Sequence, residues 1–329
     1  MSGDLPKRIE IHEEGPREGF QFERETFPLA ERVAFVDALT ETGLRQIQVT
    51  SFVSPKAVPQ VADAEAFFGA IRKKPGVRHT ALWLNEAGFE RARVSPGVDL
   101  SGSLYLYSTD AFSQRNNRCS AEEMRQRQTG WIARYDALGI GIEAVYIMTA
   151  FGCALQGEVP FSALDANLDW IDTHFAQAGR ALPAIYLADT VGMAVPTMIE
   201  TRVGWVRHRF PEARIGLHLH DTRGAGMANF HAALRMGVEL FDASVAGLGG
   251  CPFAGHASGA AAGNVCTEDM VFMAHEMGIE TGIDLEALVE AALIVERLIG
   301  RPLPGRVMHA GIPGRPGQGR AQSNSSKSA

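Results

Sequence analysis

The stretch IGLHLHD, residues 215–221, is a short apolar run that carries histidines at 218 and 220 and stops at an aspartate. A run of this length and composition predicts a buried strand. Side chains at i and i+2 leave a strand on one side, so His218 and His220 share a face at its C-terminal end. Seven more runs of the same kind precede or follow it: IEIHEE (9–14), RQIQVTSF (45–52), HTALWL (79–84), LSGSLYLY (100–107), IEAVYIMTA (142–150), AIYLAD (184–189) and LFDASV (240–245). Amphipathic stretches such as LAERVAFVDALTETG, AEEMRQRQTGWIARYDALG, ALDANLDWIDTHFAQAG and ANFHAALRMGVE separate them, several closed by glycine. Eight strand-plus-helix units in about 280 residues predict a (β/α)8 TIM barrel rather than a doubly wound sheet. No GxGxxG follows the first strand, which argues in the same direction. One more helix is expected over 278–299. The domain plan is a catalytic barrel over 1–300 and a tail over 301–329, whose Gly/Ser/Pro-rich end is expected to be disordered.

Composition narrows the functional class. The chain has 329 residues, 46% of them hydrophobic, and 35 glycines, enough for a large core. Its net charge is −7 and its basic residues are dispersed, which speaks against a surface that tracks nucleic-acid phosphates. No window has the roughly 18 to 20 uncharged apolar residues of a membrane span, and the N-terminus lacks the apolar core of a signal peptide. Cytoplasm is the default expectation. Cys119, Cys153, Cys251 and Cys266 lie far apart with no CxxC, so reduced thiols are expected rather than disulfides or a zinc-thiolate site.

In such a barrel the chemistry sits at the C-terminal ends of the strands. A lone inward histidine is usually a satisfied core residue, but two on one face followed by Asp221 suit a divalent metal. The segment HEEGPREGFQ crowds His12, Glu13, Glu14, Arg17 and Glu18 at the end of strand one, where a carboxylate completes an oxygen-and-nitrogen donor set for Mg2+ or Mn2+. Gly15-Pro16 makes the sharp exit from that strand. Arg17 places a permanent cation where an enolate or carboxylate forms. The stretch SVAGLGGCPFAGHASGAAAGNVCTED, residues 244–269, reads as a long mobile loop over the barrel mouth, with Cys251 at a Gly-Gly-Cys-Pro bend and Asn264 as a further oxygen ligand. Cys119, Cys153 and Cys266 read as structural.

Taken in order, GPREGFQ, VTSFVSPKAVPQVAD, LADTVG, GLHLHDT, SVAGLGGCPFA and GNVCTEDMVFM resemble the 3-hydroxy-3-methylglutaryl-CoA lyase family of the DRE-TIM metallolyases. The resemblance implies a TIM barrel, an acyl-CoA substrate, a divalent metal and retro-Claisen cleavage to acetyl-CoA and acetoacetate, a reaction of leucine catabolism. It implies Glu18, His218, His220 and Asn264 as metal ligands. Arg17, Cys251, Asp189 and His218 become the catalytic groups, and Arg17, Gln21, Gln48 and Ser51 the substrate-binding ones. A homodimer is the assembly it suggests.

The chain departs from the family pattern at Glu18 (aspartate in the lyases), at Gln48 (glutamate there) and at Glu14 (an apolar position), and its loop between Cys251 and Asn264 is longer. These differences bear on which 3-hydroxy-3-substituted acyl-CoA is taken, citramalyl-CoA being one alternative. A condensing acyl transferase of the isopropylmalate or homocitrate synthase type shares the barrel, the Arg-carboxylate pair and the HxH. A non-catalytic acyl-CoA or metal binder is the third reading.

Overall fold

The computed structural model describes residues 5–250 and 263–314. All eight expected strands form: β1 Glu10–Glu13, β2 Gln46–Ser51, β3 Arg78–Leu82, β4 Gly102–Tyr107, β5 Ile142–Met148, β6 Ala184–Ala188, β7 Ile215–His218 and β8 Leu240–Ala243. The helices are α1 Gly15–Phe22, α2 Leu29–Thr40, α3 Ala64–Ala70, α4 Glu86–Val94, α5 Asp110–Asn117, α6 Ala121–Leu138, α7 Phe161–Ile171, α8 Pro196–Arg209, α9 Gly226–Arg235, α10 Thr267–Glu276, α11 Leu285–Ile299 and α12 Val307–Ala310. The strands are parallel and ordered β3-β2-β1-β8-β7-β6-β5-β4, so β1 pairs with both β2 and the last strand. That order is the (β/α)8 barrel, with its hydrogen-bonded ladder interrupted between β3 and β4. At this seam Asp99 N–H donates to His79 O at 2.9 Å, and Trp83 Nε1 donates to Tyr135 Oη at 2.9 Å.

Local chemistry explains the element ends. Ser120 and Glu123 form a reciprocal capping box on α6, which closes at Gly139 with φ 65°. Asp284 caps α11 by accepting from Glu286 N and Ala287 N. The apolar faces of strands and helices meet in one large core, with Val49, Leu106, Ile147, Leu187, Leu217 and Phe241 fully buried.

Three expectations are corrected. The helix foreseen over 278–299 begins only at Leu285; Glu280 instead bridges Arg8 in parallel, with Gly278 and Gly282 both at φ 74° turning the chain. The tail does not begin at 301, because Leu303, Val307 and Met308 are buried against the core. Nor is 244–269 a loop throughout: Val245, Ala246, Leu248 and Val265 are buried, and α10 starts at Thr267. The rest of that glycine-rich stretch, 251–262 with Cys251, lies outside the described residues. Cys119, Cys153 and Cys266 are free and buried, as expected of structural thiols. Among the described residues no helix is long and apolar enough to cross a membrane.

Candidate active site

The sequence turns from β1 into α1 with only Glu14 between them, so the first helical turn stands directly on the strand end. Gly15 permits this: a Cβ there would lie 2.5 Å from Glu13 Oε1 and 3.0 Å from Ser244 Oγ. Pro16 supplies the fixed φ of a first-turn position. Arg17 and Glu18 therefore project from the rim of the barrel, next to β7 and β8.

Three donor atoms, one each from Glu18, His218 and His220, lie within 4.8 Å of one another. The two rings are 5.0 Å apart and inclined by 65°. β7 itself ends at His218; His220 lies beyond it, opposite Asn264 in a short antiparallel bridge that the returning chain makes. Val265 N donates to Leu219 O at 3.1 Å and Asp221 N to Gly263 O at 2.8 Å, which fixes Asn264 there. Asn264 Nδ2 donates to Glu18 Oε2 and, at 3.2 Å, to Leu248 O. Its buried Oδ1 has no hydrogen-bond partner among the described residues.

The ring tautomers follow from their partners. His220 Nδ1 faces the carbonyl of Asp189 at 2.8 Å, and a carbonyl only accepts, so Nδ1 carries the proton and the neutral ring's lone pair sits on Nε2. His218 Nδ1 donates to Asp242 Oδ2 at 3.3 Å, and its Nε2 is 3.8 Å from Glu18 Oε1. Two imidazole nitrogens, a carboxylate and an orphaned amide oxygen fit a hard-to-borderline divalent cation.

Charge is concentrated here. Arg17 Nη1 pairs with Glu18 Oε1 at 2.8 Å, Nη2 with Glu14 Oε2 at 2.5 Å, and Nε donates to Gln48 Oε1. Burial opposes ionisation of Glu18, but Arg17, helped by both histidines, outweighs it and holds the carboxyl at about 2. Burial likewise opposes a charged His218, and Asp242 with Glu18 outweighs it, raising the ring to about 9. At Asp189 burial prevails and lifts the carboxyl to about 6, against N–H donation from Met193 and Ala194 to Oδ1. Its Oδ2 is buried without a hydrogen-bond partner among the described residues. Ser51 Oγ donates to Gln21 Oε1 at 3.1 Å on the same rim.

The structure thus brings together Arg17, Glu18, Gln48, His218, His220, Asn264 and, through backbone pairing with β7, Asp189. Two supports were missed in the sequence. Asp242, a charged residue inside the apolar run LFDA, is the one signal that could have found the first. The second is a buried brace: Glu13 accepts from Gly15 N, Val245 N and Thr267 Oγ1, and Glu268 accepts from Ala246 N, so both ends of the glycine-rich stretch are tied to β1 and α10.

Fold and site define a barrel enzyme whose polar groups converge at the C-terminal rim, a carbon-carbon lyase by family. The chain belongs to the HMGL-like family, whose model matches residues 8–295. It is 37% identical over 313 residues to the mitochondrial hydroxymethylglutaryl-CoA lyase of Rattus norvegicus, covering 94% of this chain and 91% of the relative. It is 34% identical to the 3-hydroxy-3-isohexenylglutaryl-CoA/hydroxymethylglutaryl-CoA lyase of Pseudomonas aeruginosa, covering 93% and 98%. A solved HMG-CoA lyase from Acinetobacter baumannii, in complex with coenzyme A and 3-methylmalate, superposes with a TM-score of 0.83 at 31% identity, covering 95% and 98%.

Proposed function

We propose that this chain cleaves 3-hydroxy-3-methylglutaryl-CoA, or a closely related 3-hydroxy-3-substituted acyl-CoA, to acetyl-CoA and the corresponding oxo acid, acetoacetate in the first case. The carrying observation is the cluster of Glu18, His218 and His220 donor atoms with Arg17 at 2.8 Å from Glu18. Glu18, His218, His220 and Asn264 would hold a divalent cation, Mg2+ or Mn2+. When bound, the cation supplies positive charge that eases loss of the substrate's 3-hydroxyl proton.

Asp189 takes that proton on Oδ2, the oxygen its backbone donors leave open, and a carboxyl lifted to about 6 is suited to accept it near neutrality. As the C2–C3 bond breaks, its electron pair becomes the enolate of acetyl-CoA, and the Arg17 guanidinium stabilises the enolate oxygen by charge and hydrogen bonding. Gln21, Gln48 and Ser51 orient the acyl portion. The family resemblance supplies Cys251 as the acid that returns a proton to the enolate carbon.

Incubation with Mg2+ or Mn2+ and a panel of 3-hydroxy-3-substituted acyl-CoAs, citramalyl-CoA included, tests the reading by product mass. Acetyl-CoA and acetoacetate from the methylglutaryl thioester support it. Release only from another member moves the substrate and keeps the reaction, whereas free CoA formed solely from acetyl-CoA plus a 2-oxo acid assigns a condensing transferase instead.

A further inference from the structure

Glu14 is the residue whose presence at this site the proposed chemistry does not use. It is 2% exposed, and its backbone is fixed on both sides, Glu14 N donating to Ala243 O and Glu18 N to Glu14 O, each at 2.8 Å. Its Oε2 accepts from Arg17 Nη2 at 2.5 Å, while its Oε1 is buried with no hydrogen-bond partner among the described residues. A carboxyl buried with a single side-chain partner costs stability. Among the described residues Arg17 is the first group to offset that cost, with His218 a lesser one.

Among the described residues Arg17 has three holders, and they are not equivalent. Glu18 Oε1 takes Nη1, but the same oxygen faces His218 Nε2 at 3.8 Å and belongs to the proposed cation ligands, so its hold on Arg17 is shared. Gln48 is a neutral amide whose single carbonyl takes Nε. Among the described residues Glu14 is the one carboxyl on the guanidinium that serves no ligand position. We infer that Glu14 is the positioning residue of Arg17: its Oε2 fixes the plane of the guanidinium over the reacting centre independently of what Glu18 binds.

The inference rests on Arg17 acting as proposed above. Glu14→Val removes the acceptor and is expected to lower kcat by about 30- to 100-fold, with KM changed less than about threefold, the pattern of a lost transition-state contact. Glu14→Gln keeps an acceptor oxygen at the same reach and should retain activity within about tenfold of wild type. Gln48→Glu added to Glu14→Val puts a carboxylate on Nε and should recover at least about tenfold of the loss. Glu14→Val with unchanged kcat, or a loss that neither Glu14→Gln avoids nor Gln48→Glu relieves, overturns the assignment.

A binding readout needs no turnover. In Arg17→Ala, added guanidinium should occupy the cradle left by Glu14, Glu18 and Gln48, followed by amide chemical shifts. Adding Glu14→Val should weaken its Kd about tenfold, and an unchanged Kd overturns the role. If the wild type cleaves no acyl-CoA, the functional reading fails while this titration still decides the place of Glu14.

Discussion

His218 turns its Nδ1 to Asp242 Oδ2 at 3.3 Å, and this sends its Nε2 toward Glu18 rather than into the barrel wall. A carboxylate behind a ligating imidazole fixes the ring and raises its basicity. Asp242→Asn should keep the fold and weaken divalent-cation binding by about 10- to 100-fold, read by calorimetric titration with Mn2+. Binding of wild-type strength in that variant would remove Asp242 from the site's support.

The proposed ligands make a stronger demand. His218→Ala combined with His220→Ala leaves only the Glu18 carboxylate and the Asn264 amide, too few donors to hold Mn2+ against water. Elemental analysis after gel filtration should find less than about a tenth of the wild-type metal content, and acyl-CoA cleavage should vanish with it. Full metal content in the double variant refutes the assignment.

Arg17 is expected to act on the rate rather than on the metal. Arg17→Met should lower kcat by about 100- to 1,000-fold, the range for a lost oxyanion donor, while Mn2+ still binds. Arg17→Lys keeps the charge, but its donors share one nitrogen and cannot reach the three acceptors that Nη1, Nη2 and Nε meet separately, so it should fall between the two. Steady-state kinetics with a parallel Mn2+ titration separates the outcomes; equal kcat in wild type and Arg17→Met would exclude a catalytic role.

Much of this was legible because barrels follow period and sequence order. Each of the eight apolar runs became a strand, and the HxH pair survived the change of local structure at Leu219 because both rings still point inward. What was hidden depended on contacts remote in sequence. Asp242 earns its meaning only beside His218, and Glu13 only where Val245 and Thr267 reach it from residues more than 200 positions away. The helix starts at Leu285 rather than Gly278 because Gly278 and Gly282 both take left-handed φ and Asp284 supplies the cap. The glycines of 244–250 suggested freedom by composition alone. In space, Gly249 at φ 85° comes so close to Glu18 that a Cβ would meet its Cβ at 2.6 Å, so there glycine marks close approach rather than slack.

Acid sensitivity should have an identifiable source at the seam. His79 is fully buried; its Nε2 donates to Thr40 Oγ1 at 2.9 Å, since the hydroxyl's own proton goes to Val36 O, and its Nδ1 has no hydrogen-bond partner among the described residues. Burial, reinforced by Lys73, lowers its pKa from 6.5 to about 4. A lowered folded-state pKa means that the unfolded chain binds the proton more readily, so this contribution is complete above pH 6.5 and lost as pH falls toward 4. The loss amounts to up to about 3 kcal/mol. Denaturant midpoints measured from pH 7 to pH 4 should fall less steeply in His79→Gln than in wild type, and parallel curves would place the acid sensitivity elsewhere.

Gly216 links the packing of the barrel interior to the site two residues further along β7. A Cβ built on it would stand 2.6 to 2.7 Å from three atoms of the Tyr186 ring. That ring stacks on Tyr146 at 4.4 Å between centroids, and its hydroxyl lies 3.1 Å from His12 Nδ1, so it has little room to withdraw. Gly216→Ala therefore forces either the ring or the strand to shift, an overpacking cost of about 1–3 kcal/mol. A strand shift would carry His218 with it. The variant should unfold a few degrees below wild type and bind Mn2+ more weakly, whereas the same substitution at Gly130, which has nothing within 4 Å, should do neither. Calorimetric scans with and without Mn2+ distinguish the two, and a Gly216→Ala protein that matches wild type in both would show that the ring yields without cost to the strand.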